Sequence, residues 1–207
     1  MDILLIILIG YLFGSIHGSQ IIGKLRKVDI KGTGLKNAGA SNTTMLLGWK
    51  YGIVVALIDI LKGTAAVLLV QYLLPSFNVS DSMGAFFIYL SALSVVVGHN
   101  FPFTMRFQGG KGTASAVGVM FAIHWQLALV CIGFLLIGTF VSSYLVLGVL
   151  LMYAAFLAGT FLLYGLWPTM IALILFLLSL YMHMENYQRI YYKQEKKVFS
   201  FFTKRVD

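Results

Sequence analysis

Residues 113–182 form an almost unbroken apolar block of about 70 residues, and this block limits the fold more than any other feature. A crossing of the roughly 30 Å hydrocarbon layer takes about 20 helical residues. Inside lipid the backbone must satisfy its own polar groups, so such segments are helices. Two crossings of about 35 residues each would be far too long. The polar interruptions at His124-Trp125-Gln126, Ser142-Ser143 and 165–168 divide the block into four crossings of about 17 residues. Three would also fit by length. Upstream, apolar runs at 3–23, 52–74 (stopped by Pro75) and 83–97 predict three more helices. Only 11% of the residues are charged, against about 25% in a soluble domain. The chain reads as all-α and integral to the membrane, a single polytopic domain over 1–207.

Charge decides the number of crossings. Fourteen of the fifteen Lys and Arg residues fall in three places. Lys24, Arg26, Lys27, Lys31, Lys36 and Lys50 lie in the first loop; Arg106 and Lys111 lie in a central loop. Arg189, Lys193, Lys196, Lys197, Lys204 and Arg205 lie in the tail. Basic loops stay in the cytoplasm. With central loop and tail on one side, an even number of crossings must separate them. Four crossings give seven transmembrane helices, with the N-terminus outside and the C-terminus cytoplasmic. Met1-Asp2 followed by apolar residues lacks the basic start of a signal peptide, and is read as the head of a retained first span. The net charge of +8 is thus a topology signal. A nucleic-acid footprint needs a basic soluble face, and none is expected.

The chemistry concentrates in residues 98–112, GHNFPFTMRFQGGKG. Gly98, Gly109, Gly110 and Gly112 accompany His99, Asn100, Arg106, Gln108 and Lys111. Glycine lets a backbone approach a ligand closely. Turned N–H groups beside a lysine bind anions, phosphate above all; a tight interfacial turn facing lipid head groups is the alternative. The fifteenth cation, Lys62, sits inside the second apolar run, three positions after Asp59 and on the same helix face. It is read either as an ion pair pinning that helix or as a ligand contact. Cys131, the one cysteine, lies in an apolar run with no neighbouring cation in sequence to make it a thiolate.

Three motifs point to a family. The first loop reads VDIKGTGLKNAGASNTTMLLGWKYG after GSI; the second is GHNFPFTMRFQGGKGTA; the tail begins HMENYQRI. Together with DILKG in the second helix, they resemble the bacterial acyl-phosphate-dependent glycerol-3-phosphate acyltransferases over nearly the whole chain. The resemblance implies a seven-helix enzyme of the bacterial plasma membrane whose motifs meet at the cytoplasmic face. The implied reaction moves a fatty acyl group from acyl phosphate to the 1-hydroxyl of glycerol 3-phosphate, giving lysophosphatidate and phosphate. Its partners are those two substrates and the bilayer. No cofactor, metal or protein partner is implied.

Acyl phosphate is an activated mixed anhydride, so no strong protein nucleophile is needed. The site must hold phosphates, orient a hydroxyl and stabilise the leaving group. His99, His183 and Asn186 are the candidate catalytic residues. Both histidines titrate near neutrality when unperturbed. Asn186 and Arg189 share a helix face with His183. Candidate substrate-binding residues are Lys36, Asn37, Gly39, Ser41, Asn42, Asn100, Gly109, Gly110, Lys111, Gly112, Ser142, Glu185 and Arg189.

The chain departs from the family pattern in places. Where the family usually reads GSGN, this sequence has Gly34-Leu35-Lys36-Asn37; where a threonine–arginine pair is usual, it has Thr44-Met45. The tail HREN reads His183-Met184-Glu185-Asn186, and His17 stands where proline is usual. These changes imply a divergent member. The alternatives are a paralogue with another acceptor, or a non-catalytic membrane protein that binds a phosphate ester or phospholipid. The topology has a direct check. A cysteine placed by Ser80→Cys should label from outside intact cells, and one placed by Lys196→Cys only after permeabilisation. Labelling of both from one side would overturn the seven-helix count.

Overall fold

The computed structural model describes residues 2–198; Lys204 and Arg205 of the tail lie outside them. All regular structure among the described residues is helical. The chain divides into two compact units, one running to Trp125 and the other starting at Gln126.

The first unit holds α1 (Asp2–Gly14), α2 (Gly18–Arg26), α3 (Ala40–Leu47), α4 (Trp49–Leu73), α5 (Asp81–Asn100) and α6 (Thr113–Ile123). The run expected at 3–23 is two helices, α1 and α2, interrupted at 15–17. Ser15 Oγ and the Ser15 N–H both return to the Tyr11 carbonyl, which closes α1. The break leaves the Gly14 and Ile16 carbonyls open to side chains. α4 ends in a 3₁₀ turn, Leu74–Phe77, that carries Pro75. Ser80 caps α5 by accepting a hydrogen bond from the Met83 N–H.

Glycines bring these helices into contact. A methyl group on Gly14 would run into the Val95 carbonyl, and one on Gly98 into that of Tyr11, so α1 lies directly on α5. A methyl on Gly118 would run into the Ile60 carbonyl, which sets α6 against α4. Small residues serve this purpose in membranes, where apolar surface alone does not drive helices together. Ala66 and Val67 of α4, Ala92 and Val95 of α5 and Val119 of α6 fill the resulting core.

The second unit holds most of α7 (Trp125–Ser142), with α8 (Leu145–Tyr164), α9 (Leu166–Met182) and α10 (Met184–Tyr191). Gly138 of α7 approaches the Gly148 Cα of α8, and a methyl on Gly159 of α8 would run into Leu127 of α7. The small residues of α8 therefore mark close packing. α9 and α10 meet at His183 with a 50° bend. Cys131 is buried within α7.

The apolar block at 113–182 thus folds as four helices, with breaks at His124, Ser143-Tyr144 and Gly165, close to the polar interruptions that predict them. Their lengths differ from the even division. α6 has 11 residues, about 16 Å at 1.5 Å per residue, where the other three have 17 to 20. Among the described residues, five segments are long and apolar enough to cross a membrane, and the bent pair α9–α10 makes a sixth. Leu4, Leu57, Leu61, Phe140, Val141 and Leu162 are all exposed, as on a lipid-facing surface.

Candidate active site

The stretch at 98–112 is only partly a loop. Gly98, His99 and Asn100 form the last turn of α5, where the sequence predicts that the loop has begun. After Pro102 and a 3₁₀ turn, Phe103–Met105, the backbone takes the left-handed conformation at Arg106 and Phe107. It then folds back on the end of α5. The Gly109 N–H donates to the Asn100 carbonyl at 2.9 Å, and the Gly110 N–H to that of His99 at 3.1 Å. This corrects one expectation: the N–H groups of Gly109 and Gly110 do not face an anion. They close the loop, because the last carbonyls of α5 have no helical partner.

What the fold offers an anion is the start of α6. Gly112, left-handed at φ 79°, precedes its first turn, and N–H groups at a helix start lack helical partners. Lys111 stands beside it, half-buried. Asn100 is 1% exposed, and neither its Oδ1 nor its Nδ2 has a hydrogen-bond partner. Its Oδ1 lies 2.7 Å from where a Gly112 Cβ would be. An unsatisfied buried amide is costly, so Asn100 is equipped to receive a polar guest.

The first motif reaches the same place. Asn42, on the first turns of α3 and fully buried, organises the loop before it. Its Nδ2 donates to the carbonyls of Ile30 (2.6 Å), Thr33 (2.9 Å) and Asn37 (3.1 Å), and its Oδ1 accepts from the Leu35 N–H at 2.8 Å. Its amide is therefore taken up by the loop. Asn37, Gly39 and Ser41 are half-buried around the start of α3. The next carbonyl, that of buried Ala38, lies 2.9 Å from where a Gly110 Cβ would be; such a Cβ would also run into His99 Nε2. Two loops remote in sequence thus touch at a glycine, and only a glycine fits there. Among the family departures, Lys36 is exposed and left-handed at φ 50°. Met45 packs across Gly34, its Cε 2.5 Å from a Cβ built there.

Beneath both loops lies a buried polar cluster. Lys62 Nζ contacts Asp59 Oδ1 at 3.1 Å, the Gly14 carbonyl at 2.9 Å, the Ile16 carbonyl, and His99 Nδ1 at 2.7 Å. Ser115 Oγ is 3.2 Å from the same histidine nitrogen, and the Gly18 N–H donates to Asp59 Oδ1 at 3.3 Å. The His17 ring stacks on His99 at 4.5 Å, with Nδ1 against the Ser15 carbonyl and Nε2 against that of His99. His99 itself is 3% exposed. Asp59 and Lys62 do form the intrahelical ion pair that their spacing predicts, and it grips three elements besides its own. The contributions of His17, Ala38 and Ser115 carry no legible sequence signal.

The tail residues belong to the second unit. His183 sits at the α9–α10 bend, its Nδ1 donating to the Ser179 carbonyl at 2.9 Å. Asn186 Nδ2 and Arg189 Nε reach the two carboxylate oxygens of Glu195, each at 2.6 Å, so these two residues do share a face. Glu185 is exposed, 3.6 Å from Arg189. Glu195 was hidden in sequence as a lone acid among tail cations. Ser142 is the last residue of α7; its Oγ donates to the Gly138 carbonyl at 2.5 Å and accepts from the Tyr144 N–H at 3.1 Å.

Residues 4–193 match the sequence model of a family described as glycerol-3-phosphate acyltransferase. The chain is 55% identical to glycerol-3-phosphate acyltransferase 1 of Oceanobacillus iheyensis, over 96% of each chain. It is 36% identical to glycerol-3-phosphate acyltransferase 2 of Thermotoga maritima, over 92% of this chain and 94% of that one. Its structure resembles the crystal structure of PlsY, an integral membrane glycerol 3-phosphate acyltransferase, in the glycerol 3-phosphate form. The TM-score is 0.84 at 30% identity, with 95% of this chain and 96% of that one covered.

The left-handed backbone at Lys36 generates a prediction. A non-glycine residue in that conformation costs roughly 1–2 kcal/mol. Lys36→Gly should leave the first loop folded and raise thermal stability in detergent by up to about 1 kcal/mol, since glycine's greater unfolded-state freedom offsets part of the gain. Lys36→Val, β-branched, should lower it.

Proposed function

The chain belongs to the glycerol-3-phosphate acyltransferase family, and on that premise we propose how it works. It is an integral membrane acyltransferase acting on glycerol 3-phosphate. The donor in this reading is acyl phosphate. The 1-hydroxyl oxygen of the acceptor bonds to the acyl carbon, the bond from that carbon to the phosphate oxygen breaks, and inorganic phosphate leaves with the electron pair.

One observation carries the reading: the half-buried Lys111, the start of α6 and the unpartnered Asn100 amide converge where the first-motif loop meets Gly110. A dianionic phosphate suits all three, and it gives the Asn100 amide the partner it lacks. Lys111 gives charge and the helix start gives N–H donors; Asn100 gives an amide, and Gly112 leaves room above it. Gly109 and Gly110 shape this cradle. Asn37, Gly39 and Ser41 receive the acceptor beside it, with Lys36 at the rim. Asn42 acts through the loop it holds.

His183 is the proton acceptor in this scheme. Its Nδ1–H donates to the Ser179 carbonyl, so the neutral ring carries its lone pair on Nε2. Asn186 and Arg189, oriented by Glu195, are the second unit's candidates for binding the oxygens of a substrate, with Glu185 supporting Arg189 and Ser142, at the end of α7, as a further candidate. The topology of the proposal has seven spans in the bacterial plasma membrane, α6 being a short one. The buried glycine segment ahead of α6 shares its depth, which is permitted where irregular backbone is enclosed by protein. The basic loops and the site face the cytoplasm.

The test is purified protein given acyl phosphate and a panel of polyol phosphates, assayed for released phosphate and acylated product. Lys111→Ala should weaken acyl-phosphate use about 10-fold or more, the loss of a charge-assisted contact of about 1.5–3 kcal/mol. Gly110→Val should be at least as harmful, since its side chain displaces the His99 ring. Wild-type rates in both would make the loop merely structural. The same assay reads the altered first motif. Leu35→Ser combined with Met45→Arg should raise glycerol 3-phosphate acylation, by returning a hydroxyl and a two-pronged phosphate clamp. A lower rate would mean that the natural residues serve a different acceptor, and no acyl transfer from folded protein on any acceptor would reject the enzyme reading.

A further inference from the structure

Asp59 and Lys62 make no substrate contact in the scheme above, yet Lys62 Nζ faces four acceptors: the Gly14 and Ile16 carbonyls, Asp59 Oδ1 and His99 Nδ1. A neutral amine has two hydrogens and would leave the 1%-exposed Asp59 carboxylate without its counter-charge, a costly state in a nonpolar interior. The ammonium supplies that counter-charge and has three hydrogens to share among the four acceptors. An ammonium only donates, so His99 Nδ1 accepts. A neutral imidazole that accepts at Nδ1 carries its hydrogen on Nε2. Ser115 Oγ, beside the same nitrogen, agrees with this because a hydroxyl rotates to donate.

The other side of the ring completes the case. His99 Nε2 lies against Gly110, where a Cβ would run into it. The carbonyl of the same residue accepts from the Gly110 N–H at 3.1 Å and faces His17 Nε2 at 3.0 Å. His99 thus meets Gly110 through both ring and backbone. A hydrogen on Nδ1 would point at the Lys62 ammonium; the ring would have to turn away, and Gly110 would lose the surface on which it rests.

We propose that Lys62, balanced by Asp59, is a positioning residue that locks His99 as the Nε2–H tautomer beneath Gly110 and so holds the glycine-rich loop in its phosphate-receiving shape. His99 is then part of the loop's support, and the proton of the reacting hydroxyl goes elsewhere. Its consequence for turnover rests on the acyltransferase reading; the tautomer does not.

The two are tested separately. ¹⁵N-histidine-labelled protein in detergent micelles, with the His99 signal assigned by its loss in His99→Asn, should show the His99 proton on Nε2. A proton on Nδ1 overturns the proposal whether or not the protein transfers acyl groups. The combined variant Asp59→Asn, Lys62→Met removes both charges and leaves no unpaired ion. It should fold with a lowered thermal midpoint, since the Gly14 and Ile16 carbonyls lose their donor, show a mixed His99 tautomer, and raise the KM for acyl phosphate about tenfold with a smaller change in kcat. Wild-type tautomer and KM in that variant would reduce the pair to a brace and overturn the proposal. If the variant does not fold, the wild-type tautomer alone decides.

Discussion

The first unit depends on one charge held where charges are expensive. Lys62 lies mid-helix in the longest apolar helix of the chain, 5% exposed, and an ammonium at that depth must be fully coordinated. Asp59 neutralises it from one turn away. The rest of its shell comes from other elements: two carbonyls at the α1–α2 break and a ring nitrogen at the end of α5. The break in the first apolar run is therefore functional in the packing. It supplies the unpaired carbonyls that make a buried lysine tolerable, and the lysine in return ties α4 to α1 and α5.

The loops inherit their geometry from that arrangement. Because His99 is anchored by its ring, α5 continues as helix through Asn100, and the chain must then reverse sharply to enter α6. It does so by hydrogen-bonding Gly109 and Gly110 to the last carbonyls of α5. This leaves no room for a side chain at Gly110, between His99 and the Ala38 carbonyl. Asn42 plays the corresponding part in the first loop, joining four backbone groups with one amide. In each loop a buried side chain organises the backbone around it.

The family departures sit unequally in this frame. Leu35 keeps its N–H on Asn42, so the substitution alters a side chain while the loop's backbone bonding is intact. Lys36 adopts a conformation that suits the glycine usual there, which is a local strain. Met45, at the position where arginine is usual, covers Gly34. His17 takes the usual proline position and uses its ring to stack on His99 and to reach its carbonyl.

The sequence by itself determined the membrane class, the helical architecture and the four-way division of 113–182. Apolarity and its interruptions are properties of consecutive residues, and lipid permits few ways to satisfy the backbone of such a run. It also determined the three motifs and the pairing of Asp59 with Lys62, one turn apart on one helix. It left the length of α6 unread, because a run of apolar residues does not say where its helix begins. Only the tertiary structure decided that Gly98, His99 and Asn100 are helical and that Gly109 and Gly110 give their N–H groups to α5. Only there does Ala38 meet Gly110, and only there does Lys62 reach a histidine 37 residues away. Those contacts arise from helices brought together at glycines, and the partner a side chain finds across such an interface is set by the packing of both, which neither local sequence contains.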